Sequence, residues 1–273
     1  MPEGPEIRFE FDRIKKIKGH YLLEMEILSG RYIRHPFGKE YKNLLSELPL
    51  KITKMGVKGK MIWWEFENGM GIVVTHGMSG GWKVNGDIKK EYTGRWFQDK
   101  HDRIKFVTDN GGIIFNDLRN FGTVHITTNK EQLHEKINSL GPSIIDHPTS
   151  LQFWERFYEK KYQNKPIGIL LMEQELVSGI GNYLRADILW KAKISPYRLL
   201  QTLSDEEKHR IYQSAVEHSH YHYNFMKKHG EIYPEEREKT FLIYGKEKDP
   251  LGNPVISERM GARTIHWVSS VQK

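Results

Sequence analysis

The sequence predicts an α+β fold: an N-terminal helix leading into a β-sandwich, then a helical domain that ends in a β-hairpin. Three observations predict it. Residues 5–17 place Ile7, Phe11, Ile14 and Ile17 at helical spacing with basic residues between them. From 20 to about 127 the chain turns to short apolar runs separated by turn signals. From 150 to 228 helical periodicity returns.

In order along the chain, residues 5–17 form an amphipathic helix. Strands are expected at 20–28, 51–57, 61–66, 71–76, 103–108 and 112–117, with turns at Glu67-Asn68-Gly69 and Asp109-Asn110-Gly111-Gly112. Strands at this density make a sandwich or a barrel-like domain. A short helix near 39–46 interrupts them. Residues 129–150 read as a helix, a Gly-Pro turn and a linker. Helices follow at 151–160, 167–174, 182–192 and 204–226. Two short strands, 240–245 and 263–268, close the chain. The expected domains are 1–128 (helix and sandwich), 129–150 (linker), 151–232 (helical) and 233–273 (hairpin).

The chain has 273 residues and no cysteine, which rules out disulfides, cysteine nucleophiles and thiolate zinc sites. No apolar run approaches the ~18 residues of a membrane helix, and residues 1–6 read as neither signal nor transit peptide. An intracellular protein with no membrane partner is expected. A net charge of +7 and a pI near 9.2 suit a polyanionic partner, and they equally suit simple solubility.

The chemistry starts at residue 2. Once the initiator Met is removed, Pro2 presents a secondary amine that titrates near ~8, far below a lysine. Such an amine attacks an electrophilic sugar carbon and forms an iminium. Glu3, beside it, is placed to protonate a sugar ring oxygen as a general acid. The same Pro-Glu pair also makes an ordinary first helical turn. Further along, Gly179-Ile180-Gly181-Asn182 opens a helix. Backbone amides there, with the Asn182 side chain, form a phosphate clamp or, more plainly, a helix cap.

Together with Lys58-Gly59-Lys60, Met78-Ser79-Gly80, Asp117-Leu118-Arg119-Asn120-Phe121-Gly122 and Gly261-Ala262-Arg263-Thr264, these motifs stand in one order. The set resembles the formamidopyrimidine-DNA glycosylase and endonuclease VIII family from residue 2 to 272. It looks closest to the endonuclease VIII branch, including giant-virus members. The resemblance implies a bifunctional DNA glycosylase and abasic-site lyase of base excision repair, built with a helix–two-turn–helix motif. Pro2 would be the nucleophile and Glu3 the general acid. Glu6 would help orient the nucleophile. Lys60 and Arg263 would contact phosphate and assist strand cleavage. Met78, Arg119 and Phe121 would fill the space left by the extruded nucleotide. Asn182 and His101 would contact DNA. The implied partner is double-stranded DNA carrying oxidised bases or abasic sites, bound by a monomer in a basic cleft. The endonuclease VIII-like resemblance favours oxidised pyrimidines, and Lys227 to Thr240 leaves little room for the lesion-capping loop of 8-oxoguanine-specific relatives.

The departures from the family pattern are specific. The cysteines of the family's C-terminal zinc finger correspond here to Leu251, Pro254, Val268 and Val271, so a "zincless finger" is expected. It would close by strand pairing and packing of Phe241, Ile243, Val255, Ile265, Trp267 and Val268. Thr75 and His76 replace a usual histidine phosphate contact, and Gly168 a usual lysine. Of His218, His220 and His222, only 218 and 222 share a helical face and no third ligand is evident, so no metal and no cofactor are expected. A catalytically silent reader of damaged DNA would not need Pro2, Glu3 and Lys60. A general DNA-binding protein would not need Met78, Arg119 and Phe121.

Overall fold

The computed structural model describes residues 2–84, 98–229 and 238–273. The chain divides into two compact units, one of Pro2 and residues 7–138, the other of residues 3–6 and 139–273.

In the first unit, helix α1 (Gly4–Ile14) buries Ile7 and Ile14, the apolar face read from the sequence. On the same buried face Glu10 accepts a hydrogen bond from Trp82 N and pairs with Arg13. Helices α2 (Arg31–Arg34) and α3 (Lys39–Glu47) interrupt an antiparallel sheet. Its strands are β1 (Tyr21–Ile27), β2 (Leu50–Lys58), β3 (Met61–Phe66), β4 (Gly71–Thr75), β5 (Gly80–Val84), β6 (Asp102–Thr108), β7 (Gly111–Asp117) and β8 (Thr123–Thr127). Their order is β5-β7-β6-β1-β2-β3-β4-β8. β1 meets β2 only at Tyr21↔Lys51 and Leu22↔Leu50, whereas it pairs with β6 along most of its length. The sheet folds at that weak seam into two halves whose inner faces meet: Trp64 of β3 packs on Trp82 of β5 and edge-on against Phe106 of β6. The result is the sandwich expected from the density of short strands. Helix α4 (Lys130–Ser139) follows.

In the second unit, α5 (Ser150–Trp154) begins with a capping box in which Thr149 and Gln152 satisfy each other's backbone amides. α6 (Ile167–Leu170), two turns and α7 (Asn182–Ala192) form the helix–two-turn–helix. α7 is buried on nearly every side, as its mostly apolar sequence requires. α8 (Asp205–His229) packs on it. The closing hairpin is β9 (Ile256–Met260) and β10 (Arg263–Trp267).

Here one expectation is corrected: residues 240–245 are turns, not the first strand of the hairpin. Their apolar alternation has another origin. The amides of Leu242, Ile243 and Tyr244 all donate to the buried Asp187 carboxylate, which leaves them nothing to offer a ladder. Phe241 packs with the α7–α8 core, while Ile243 and Val268 pack on Ala186 with Val255 and Val271 alongside.

Candidate active site

Glu3 is 1% exposed, and its carboxylate sits on the N-terminus of α7. Gly181 N donates to Oε2 at 2.7 Å, Tyr183 N to Oε1 at 2.9 Å and Leu184 N to Oε2 at 3.2 Å. These are among the amides that a helix leaves unpaired at its start, and the helix dipole adds positive potential there. The glycines make the approach possible. A Cβ on Gly181 would overlap the Glu3 side chain, and Gly179 holds φ at +103°. Gly4 N donates to Gly179 O at 2.8 Å, which ties the start of the chain to the same loop.

This arrangement corrects the phosphate-clamp reading of the helix terminus. Three of its amides are spent on Glu3 and are not offered to a phosphate. What remains is Asn182, half-buried, whose Oδ1 accepts a hydrogen bond from Arg185. Arg185 also donates to Gly168 O at 3.0 Å and to Thr264 O at 2.9 Å. Its burial, first of all, pulls its pKa down to about 10, with the nearby Arg263 adding to the effect. Gly168 has room for no side chain, since a Cβ would press on Pro196 and Met260.

Glu6 acts one step behind. Its Oε2 accepts from Glu3 N at 2.7 Å, and its carboxylate receives the Tyr183 hydroxyl at 2.9 and 3.1 Å. It fixes the backbone amide of the residue that follows Pro2. Pro2 itself is half-buried. Lys60 lies in the two-residue turn between β2 and β3, where Gly59 takes φ +56° and Lys58 pairs with Met61. Arg263 is exposed and opens β10 just after the Gly261-Ala262 turn, whose Gly261 takes φ +61°.

Two loops of the sandwich converge. Met78 and Arg119 meet, with Arg119 Nη1 at 3.4 Å from Met78 Sδ. Asp117 holds both loops: its carboxylate receives Ser79 Oγ at 2.5 Å and Gly122 N at 2.7 Å, and Ser79 Oγ in turn accepts from Arg119 N. Gly77, at φ +59°, lies against the Phe121 backbone with no space for a Cβ. Phe121 is 55% exposed, an aromatic ring left in solvent on a clamped loop. His101, half-buried ahead of β6, has its pKa lowered by burial and by the charges of Lys100 and Arg103.

His76 is removed as a candidate phosphate contact. It is buried among Trp82 and Phe115, and desolvation drives its pKa down to about 3. Thr75 shares a hydrogen bond with Thr123 across the β4–β8 pair. Of His218, His220 and His222 on α8, His220 stacks on His147 instead of joining the other two. His218 and His222 do come together, and α7 supplies a third group, Asp187.

Reading the motifs missed Asp117, Tyr183, Arg185 and Asp187. One signal was present: Arg185 and Asp187 stand in the middle of a mostly apolar helix, where each must find a buried partner.

Comparison with known proteins places this geometry. Residues 1–124 match the formamidopyrimidine-DNA glycosylase N-terminal domain, 140–218 its H2TH domain and 230–273 its C-terminal domain. The formamidopyrimidine-DNA glycosylase of Wolbachia pipientis is 32% identical over 211 residues, covering 75% of this chain and 71% of its own. The chain belongs to the formamidopyrimidine-DNA glycosylase/endonuclease VIII family. Endonuclease 8 of an Enterobacter species is 25% identical over 282 residues, the full length of both chains. The fold is shared with the Lactococcus lactis glycosylase solved with abasic-site DNA (TM-score 0.78, 23% identity, 99% of each chain). The family's zinc finger does not fit this member: its C-terminal segment carries no thiolate, Val268 is buried against Ile243, and Asp249 organises the loop before β9. That carboxylate accepts from the amides of Leu251 and Asn253 and from the Trp190 indole.

Proposed function

We propose that this glycosylase is bifunctional and removes oxidised bases, pyrimidines foremost, from double-stranded DNA wherever the cell or virus keeps its DNA. The observation that carries the reading is the carboxylate of Glu3, next to Pro2 in the chain and held by three amide donors at the head of α7. Those donors stabilise the carboxylate that remains once Glu3 has passed its proton to the sugar ring oxygen. The nitrogen lone pair of Pro2 attacks C1′. The bond from C1′ to the base breaks, and the base leaves with the electron pair and takes up a proton. The C1′–O4′ bond then breaks as O4′ takes the Glu3 proton, and the opened sugar is held as an iminium on Pro2. Loss of a C2′ proton expels the 3′ phosphate, and a second elimination expels the 5′ phosphate, with Lys60 and Arg263 moving protons and holding phosphates. Hydrolysis of the imine frees the amine. Met78, Arg119 and Phe121 occupy the vacated stack, and Asn182, Arg263 and His101 hold the backbone. The Lactococcus lactis glycosylase has also been solved in complex with DNA containing an oxidised pyrimidine, in keeping with this substrate class. The segment whose shortness favours pyrimidines, Lys227 to Thr240, lies partly outside the described residues.

Borohydride tests the mechanism. Incubated with duplexes holding an oxidised pyrimidine, the chain with a free N-terminus should give a reduced protein–DNA adduct, and mass spectrometry should map it to residue 2. An N-terminal extension should abolish trapping. An adduct on Lys60, or trapping that survives the extension, would sink the Pro2 mechanism.

A further inference from the structure

We propose that Asp187, His218 and His222 form a binding site for a divalent transition metal of the zinc class inside the helical unit. The three ligand atoms already cluster. Asp187 Oδ2 lies 3.1 Å from His218 Nε2, and His218 Nε2 lies 3.1 Å from His222 Nε2. All three residues are buried, at 0%, 3% and 1% exposure. Nitrogen and oxygen ligands about 2.0–2.1 Å from a tetrahedral metal stand roughly 3.3 Å from one another. Both spacings to His218 are close to that, and all three ligand atoms lie within 4.8 Å of one another.

Hydrogen bonding alone serves the cluster poorly. A single hydrogen on His218 Nε2 would have to be shared between Asp187 Oδ2 and His222 Nε2. Moving it to His222 Nε2 instead turns the His218 lone pair toward the carboxylate. A cation at the centre satisfies all three lone pairs at once.

The surroundings suit a metal. His222 Nδ1 is 3.1 Å from Thr240 Oγ1; with Nδ1 donating to that hydroxyl, Nε2 is left as the ligand. Asp187 is fixed by the amides of Leu242, Ile243 and Tyr244, and Oδ2 receives only one of them, from Leu242. Tyr183, Tyr221 and Phe241 wall the cluster with aromatic rings. Three protein ligands leave a fourth position for water. The ion would fasten the 240–244 turn to α7 and α8, without cysteine. Through the Tyr183 ring, which packs edge-on against His222 at 4.9 Å, it would steady the hydroxyl that holds Glu6.

The test uses the full chain with no polyhistidine tag, stripped with a chelator and titrated with Co2+ and then Zn2+. One Co2+ should bind per chain with the visible bands of a four- or five-coordinate ion, and one Zn2+ should displace it and raise the Tm. His222→Gln should lose both the bands and the Tm rise. Thr240→Val, which leaves the ligands in place, should weaken binding about tenfold. His220→Gln, whose ring stacks on His147, should bind as the unmodified chain does. The proposal fails if the unmodified chain shows no saturable uptake or keeps the spectrum of aqueous Co2+, a result independent of any variant's folding. It fails equally if His220→Gln abolishes binding as completely as His222→Gln.

Discussion

Gly181 has no space for a side chain because the Glu3 carboxylate fills it. Gly181→Ala should therefore expel the carboxylate from the start of α7. Each buried amide left without an acceptor costs about 1–3 kcal/mol, so the Tm should drop by several degrees and base excision should collapse with it. Unchanged Tm and excision would separate the cap from the chemistry. A second residue-scale consequence concerns acid. His76 is buried, and neither ring nitrogen finds a hydrogen-bonding partner among the described residues. Its folded pKa, about 3, lies below the ordinary 6.5. Above pH 6.5 neither state binds the proton, and this stability is fully present. As the pH falls toward 3 the unfolded chain gains a proton that the native state refuses, and stability is lost by up to about 1.4 kcal/mol per pH unit. His76→Phe, which keeps an aromatic ring against Trp82 and Phe115, should flatten the fall of the urea midpoint between pH 6.5 and 4. Parallel curves for the two proteins would show that His76 is not the group that titrates. Nothing in the sequence distinguished this buried histidine from a surface one; its environment comes from Trp82 on the next strand and Phe115 much further along the chain.

At the scale of elements, the two loops tied by Asp117 act as one unit. Ser79, Arg119 and Gly122 all depend on its carboxylate directly or at one remove. Met78, Arg119 and Phe121 replaced together by Ala should cut excision from duplex DNA far more than excision from single strands, since only the duplex needs its stack refilled. Equal losses would mark the three as packing residues. Which loops carry these residues was legible, because Gly77, Gly80 and Gly122 punctuate them. The clamp was not, because Asp117 reads as the last residue of an ordinary strand. The turn at 240–245 misled for a related reason: alternating apolar residues look the same whether their amides pair with a strand or with one carboxylate.

Across the whole molecule, the order of helix, sheet and helices followed from periodicity alone, and α7 and β3 were read to the residue. Long-range polar contacts were beyond that reading. Residues 3 and 181–184, or 187 and 242–244, are matched by shape and by hydrogen-bond supply, and neither leaves a periodic trace. The helical unit is accordingly discontinuous, since residues 3–6 belong with residues 139–273. Synthesis gives this a temporal meaning. At ~5–20 residues per second, roughly 10–40 s separate the appearance of Glu3 from that of Leu184. The first residues wait through that interval, open to the enzyme that removes the initiator Met, before α7 exists for them to cap. The proposed nucleophile, Pro2, would thus be uncovered before the fold closes over its neighbour.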